Sequence, residues 1–465
     1  MHTPDHAERD GRQPAADTGP EAVAETGTGT GARAGGGAAA AGARPTRVRY
    51  GLLGLLFLVT ALNYLDRSNL SVAAPHLKDE FDLSATELGL LFSLFSWSYV
   101  LVQIPGGWLL DRLGPKLAYG YALVGWSLVT VATGFARSLN TLLGLRIALG
   151  LSEAPTFPAN NKFVSTWFPS SERARATGVY SAGQYLGLAL ALPLLSWIIA
   201  GSGWREMFVI TGAVGLVLAV FWFWKAHSLP AEHPRINEAE LALTKETETA
   251  PARVKASWPE IRHLLSHRRL WGMYIGNFAA NGVMWFFLSW FPTYLTDEKG
   301  ITGITGGSIG SVPYVAALVG VLSSGYISDR LLRRGLSRTA ARKIPLVCGF
   351  VLSGCIVTAN FTDSTGLVIL IMSIAFFGQG TSALGWTICS EVAPVRSLGL
   401  AGGVFNFFTN LGGAISPLIV GVILDRTGSF AVALTFIAGL AMAGLLCYLL
   451  LIDRVERLPE PKPAK

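Results

Sequence analysis

Between residues 50 and 452 the chain repeats one unit about twelve times: an apolar run of roughly 20 residues, the length a helix needs to cross about 30 Å of hydrocarbon. The runs lie near 50–74, 89–110, 117–136, 139–164, 174–200, 205–226, 270–295, 306–328, 343–361, 366–390, 398–424 and 429–452. A soluble domain has no use for so many. The composition agrees, with 51% hydrophobic and 14% charged residues and a mean hydropathy of +0.44. The expected fold class is therefore all-α integral membrane, with twelve transmembrane helices.

The basic residues orient such a bundle. Arg112 and Lys116, Arg173 and Arg175, the 227–269 segment, Arg330, Arg333, Arg334, Arg338, Arg342 and Lys343, and Arg396 fall in every second loop. Lys and Arg accumulate on the cytoplasmic side, so both termini are expected there. The net charge of +7 reports this topology, and its dispersal along loops gives no footing for nucleic acid. Residues 1–45 read as a disordered cytoplasmic tail with no signal peptide. Its GTGTGARAGGG string lacks the strand and helix that a phosphate loop needs.

An internal repeat divides the runs. GGWLLDRLGPK holds Gly107, three residues, then Asp111-Arg112, and GYISDRLLRR holds Gly325, three residues, then Asp329-Arg330, 218 positions later. Each follows the second run of its half. The expected organisation is a six-helix half at 46–226, a cytoplasmic linker at 227–269, a second six-helix half at 270–452 and a cytoplasmic tail at 453–465. Carriers built from such halves bind substrate near midplane between them.

The Gly107 to Lys116 pattern, placed between the second and third runs, resembles the signature loop of the major facilitator superfamily. Within it, NYLDRSNLSVAAP at 63–75, RIALGLSEAPTFPANNKFVSTWFP at 146–169, VYSAGQYLG at 179–187 and WFFLSWFPTYL at 285–295 resemble the anion:cation symporter family, and bacterial proton-coupled carriers of galactonate, glucarate and uronates in particular. The resemblance implies a proton-coupled symporter that imports an organic anion, a hexonate, hexarate or uronate, across the bacterial cytoplasmic membrane, working as a monomer with protons as coupling ion and no other cofactor.

Charged residues inside the runs carry the candidate site, because ionisable groups at that depth are costly and usually functional. Neighbouring helical residues point about 100° apart, so Asp66 and Arg67 address different partners. Arg67 offers a planar, permanently charged fork suited to a carboxylate, and Asp66 can take a proton. Arg146 and Glu153 share a helix face about 10 Å apart along the axis, too far for a tight pair, so Glu153 can swap between Arg146 and another partner. The resemblance implies that Asp66, Arg146 and Glu153 couple protons and that Arg67 anchors substrate. It also implies that Tyr64, Tyr99, Gln184, Trp386 and Asn406 surround the substrate, with Asn277, Asn281 and Asn410 as further candidates. The competing reading for all of them is ordinary interhelical pairing and packing.

Asp111, Arg112, Asp329 and Arg330 are expected to latch the cytoplasmic face, each acid near a neighbouring helix N-terminus and each base near acids of the other half. The four cysteines and seven histidines show no metal spacing. No nucleophile–base pair or water-facing phosphate loop suggests an enzyme. A drug or cation:proton antiporter of the same superfamily is the alternative. Such exporters commonly carry Gly-Pro-x-x-Gly-Gly in the fifth run, where this chain reads GQYLGLALALP.

Overall fold

The computed structural model describes residues 44–245, 258–394 and 397–460, so nearly all of the N-terminal tail with its glycine string, and Arg396, lie outside the described residues. Every regular element among them is helical. The first set comprises α1 (Val48–Phe81), α2 (Ala85–Leu113), α3 (Pro115–Thr133), α4 (Leu139–Glu153), α5 (Thr156–Trp167), α6 (Ser170–Ser202) and α7 (Trp204–Lys225). Two short helices follow, α8 (Glu238–Lys245) and α9 (Trp258–Ser266). The second set is α10 (Arg268–Ser289), α11 (Phe291–Asp297), α12 (Gly303–Gly310), α13 (Val312–Arg333), α14 (Arg338–Gly354), α15 (Thr365–Gly380), α16 (Leu384–Val392), α17 (Leu398–Thr427) and α18 (Phe430–Leu450).

Nine helical stretches among the described residues are long and apolar enough to cross a membrane. The runs expected at 117–136, 139–164 and 270–295 are helical too, but fall short of that length or apolarity. For the last two the reason is their chemistry. The 139–164 run carries Arg146 and Glu153 and breaks between α4 and α5 at Ala154-Pro155, and α10 starts on two arginines and contains Asn277 and Asn281.

The helices pack as two sets, α1 with α6, α2 with α4 and α3 with α7 in one, α10 with α17 and α18 and α13 with α15 in the other. Lys78 near the end of α1 pairs with Asp297 at the end of α11 at 3.2 Å, so α1 and α10–α11 run in one direction. Arg269 at the start of α10 pairs with Asp453 beyond α18 at 2.5 Å. The start of α1 and the finish of α18 therefore share one end of the bundle, the tail end; the opposite end is the far end.

Two clusters fix the tail end. Glu240 on α8 is fully buried and accepts the backbone N–H groups of Val48 (3.2 Å) and Arg49 (3.1 Å), two of the donors a helix start leaves open. It also pairs with the Arg49 guanidinium at 3.0 Å, which holds Glu172 of α6 at 3.0 Å on its other side. Glu240→Ala removes a helix cap and half of a buried charge cluster, so the expected cost is about 3 kcal/mol, read as a lower melting temperature of the purified protein with fewer molecules surviving extraction. After α18 the chain tucks under the second set. Ile452, Val455 and Leu458 are buried, the Leu458 N–H reaches the Val392 carbonyl at 2.8 Å, and the hydrogen bond from Arg269 draws the Asp453 carboxyl down to about 2.

Candidate functional site

The two sets meet along α1, α2 and α6 on one side and α10–α13 and α17 on the other. Arg67 stands in this seam on α1. Its guanidinium carbon lies 4.7 Å from the Tyr64 ring centre, 4.8 Å from Phe95 and 5.3 Å from Tyr99, so three aromatic walls hold it. Both Nε and Nη2 approach one oxygen, Glu153 Oε2, at 2.8 Å, while Glu153 Oε1 is buried without a partner. The pair is not a fork-to-fork match. Half of the carboxylate and part of the guanidinium edge are unused.

Helix geometry sends Asp66 the other way. It is 1% exposed, accepts from Asn69 Nδ2 at 3.3 Å, and the same amide donates to Thr211 of α7 at 2.9 Å. Its second oxygen is buried and unpaired. Arg146, buried on α4, makes no hydrogen bond or ion pair among the described residues, but its charge faces both Glu153 and Asp66. Four charges thus occupy one buried region of the first set, with a single close ion pair among them.

The remaining expected site residues are more dispersed. Gln184 is half-buried on α6 with no hydrogen-bond partner among the described residues. Trp386 on α16 is 47% exposed and stacks edge-on against Phe405 at 4.7 Å, and Asn406 on α17 accepts from Asn410 at 3.1 Å. Asn277 and Asn281 of α10 both donate to Thr409 of α17 at 2.7 Å, to its hydroxyl and carbonyl respectively. In the spans of the second set no basic residue follows Lys343 before Arg426 among the described residues.

Several contributors escaped the sequence reading. Phe95 belongs to the cage around Arg67, and Trp285 of α10 packs on Phe95 at 5.8 Å from the opposite set. Lys162, half-buried on α5, is a second base in the 139–164 run besides Arg146, and its neighbour Asn161 accepts from Tyr180 of α6 at 2.7 Å. Lys162 was visible in sequence, two residues inside the expected edge of its run.

The second-half members of the expected cytoplasmic latch bond within their own set. Asp329 is 64% exposed at its side chain and pairs with Arg342 of its own set at 3.1 Å, and Arg330 reaches Tyr326 on its own helix. Arg112 is exposed, and the Asp111 side chain lies outside the described residues. Bonds and ring contacts that join the two sets are found from the site outward to the far end. They include Lys78–Asp297, Phe92 against Trp290 at 5.4 Å, and α12 glycines against α6.

The sequence profile of the Major Facilitator Superfamily matches residues 56–417 and 336–465. A protein named D-galactonate transporter from Escherichia coli O6:H1 (strain CFT073) is 44% identical over 423 residues, covering 89% of this chain and 98% of that one. Proteins named "Probable galactarate/D-glucarate transporter" from Escherichia coli (strain K12) and Bacillus subtilis (strain 168) are 41% and 40% identical, covering 88% and 89% of this chain and 96% and 94% of theirs. Among solved structures, a bacterial homolog of the human lysosomal transporter Spinster, inward-facing and unoccupied, superposes with a TM-score of 0.67 at 20% identity, over 88% of this chain and 95% of that one, which speaks to the fold alone. On the profile match and the near full-length relatives, the chain belongs to the Major Facilitator Superfamily.

Proposed function

We propose that this protein imports a sugar acid, a hexonate, hexarate or uronate, together with protons by alternating access. It is a multi-pass protein of the bacterial plasma membrane, and relatives aligned over nearly its whole length are named as galactonate and galactarate/glucarate transporters. The observation that carries the reading is the Arg67–Glu153 contact: a caged guanidinium held by one oxygen of a carboxylate that a proton can neutralise. A substrate carboxylate and Glu153 compete for the same cation, so proton uptake by Glu153 and anion binding at Arg67 favour one another. Gln184, Trp386 and Asn406 supply donors, acceptors and a flat apolar face for the hydroxylated chain.

The same reading takes the chain as twelve crossings with both ends cytoplasmic, in halves at 46–226 and 270–452 joined by 227–269, and as a monomer. The alternating basic loops support this topology. With Asp66 and Glu153 both able to take a proton, two protons accompany a monoanion and each cycle moves one positive charge inward, worth about 2.3 kcal/mol per 100 mV. Thermal-shift measurements with galactonate, gluconate, glucarate, galactarate and the uronates are expected to raise the melting temperature by several degrees for at least one acid. No response to any of them sinks the substrate class. Current on a solid-supported membrane after adding the responding acid reads the stoichiometry: for a monoanion such as galactonate, gluconate or a uronate an electroneutral response excludes two protons, whereas for the dianions galactarate and glucarate two protons give no net current.

A further inference from the structure

The far end contains a copy of the signature motif that lies outside the two repeats at the tail end. Residues 421–428 read Gly-x-x-x-Asp-Arg-x-Gly, with Gly421, Asp425, Arg426 and Gly428 at the spacing of Gly107, Asp111, Arg112 and Gly114. Both closing glycines end their helices at positive φ, 78° at Gly114 and 61° at Gly428, which a side chain would strain. The third copy finishes α17 at the opposite end of the bundle, and it is engaged. The Asp425 carboxylate accepts the backbone N–H of Ala85 at 2.8 Å and of Thr86 at 2.7 Å, the first two amides of α2 in the other set. Gly421 makes that reach possible. A Cβ there would fall 3.2 Å from the Gly89 Cα and closer still to the Ala85 carbonyl, and a Cβ on Gly89 would fall 2.8 Å from the Pro417 carbonyl oxygen. By contrast Gly325, at the tail end, faces open space, and Asp329 is turned to its own set.

We infer that Asp425 is a positioning residue of the transport cycle: by capping α2 across the seam it clasps the far end shut, and its release accompanies opening on that side. Ser84 and Glu87 already satisfy the local cap of α2, as a capping box, so Asp425 is not needed to start that helix. What it adds is a charge-assisted bond pair between the two sets, favoured by the helix dipole. The inference rests on the alternating-access reading above. It needs no substrate for its test, so a chain that moves no sugar acid can still pass.

Ser93, fully buried one turn from Gly89 on the same face of α2, makes the reporter. In a background with the four native cysteines replaced, Ser93→Cys is labelled by a membrane-impermeant maleimide applied from the far side. Adding Asp425→Ala is expected to raise the labelling rate at least tenfold, and Asp425→Glu to return it towards the parent. Ala85→Pro is the independent variant. It leaves the carboxylate in place and deletes one of its two donors, at the first helical position where proline suits the helix and after a Ser84 already extended at ψ 159°. It should raise labelling severalfold. Unchanged labelling in both variants overturns the clasp. So does an equal rise at Ser127→Cys, buried inside the first set, because that would mark loosening of the fold instead of opening at one end.

Discussion

Arg67→Lys is expected to lower sugar-acid affinity at least a hundredfold while leaving the protein folded. The substitution keeps the charge, so charge alone cannot explain the loss. A guanidinium sits 4.7–5.3 Å from the ring centres of Tyr64, Phe95 and Tyr99 and presents several N–H groups in one plane, with Glu153 occupying one edge. An ammonium is a compact, strongly hydrated point charge that neither stacks in the same way nor grips two carboxylate oxygens in parallel. Losing one charge-assisted hydrogen bond and the stacking amounts to about 3 kcal/mol, two factors of ten. Isothermal calorimetry with the best acid from the thermal-shift panel reads it directly. Near-normal affinity in the lysine variant would remove Arg67 as the anchor.

Glu153→Gln should separate binding from coupling. Glutamine is neutral at every pH and nearly isosteric, so it imitates the protonated carboxyl and leaves Arg67 free for the substrate. Binding and counterflow exchange are expected to persist, while accumulation against a gradient falls to background and uptake loses its dependence on external pH. Full gradient-driven accumulation in this variant would show that Glu153 carries no coupled proton. Asp66→Asn is expected to reduce accumulation as well, by a different route, since Asp66 contacts Asn69 on the α7 side and not Arg67's partner.

How much of this was legible in the sequence depends on the distance over which each feature is encoded. Apolar run length is local, so the twelve-run pattern survived into helices, and two of the three weak runs, 139–164 and 270–295, are weak because they carry candidate polar side chains of the site. The separation of Asp66 from Arg67 follows from helical angle and was readable. The partner of Glu153 was not. Seven residues upstream Arg146 lies on the same helix face, yet the close contact comes from Arg67 on α1, set by how α1 and α4 pack. Glu240 illustrates the same limit: nothing in a polar linker announces that one carboxylate will cap α1 nearly two hundred residues away. Asp425 is a different kind of omission. Its motif was readable by spacing alone, but it sits at the end of the eleventh run, where the repeat of the halves predicts nothing.

The far-end closure has one more consequence, for balance. Besides aromatic packing it consists of a glycine seam, one capping carboxylate and one ion pair, Lys78–Asp297, that is 43% and 35% exposed. A cap of this kind contributes about 1–2 kcal/mol and an exposed pair less than about 1. Reversing a two-state population from 1:99 to 99:1 takes about 5.5 kcal/mol of differential affinity. A polar lock that weak lies within reach of what one anion and its protons can supply, whereas a lock of many buried ion pairs would hold the molecule in one state at any substrate concentration. The smallness of the polar lock therefore sets how little a membrane, a mutation or a ligand must contribute to release that part of the closure.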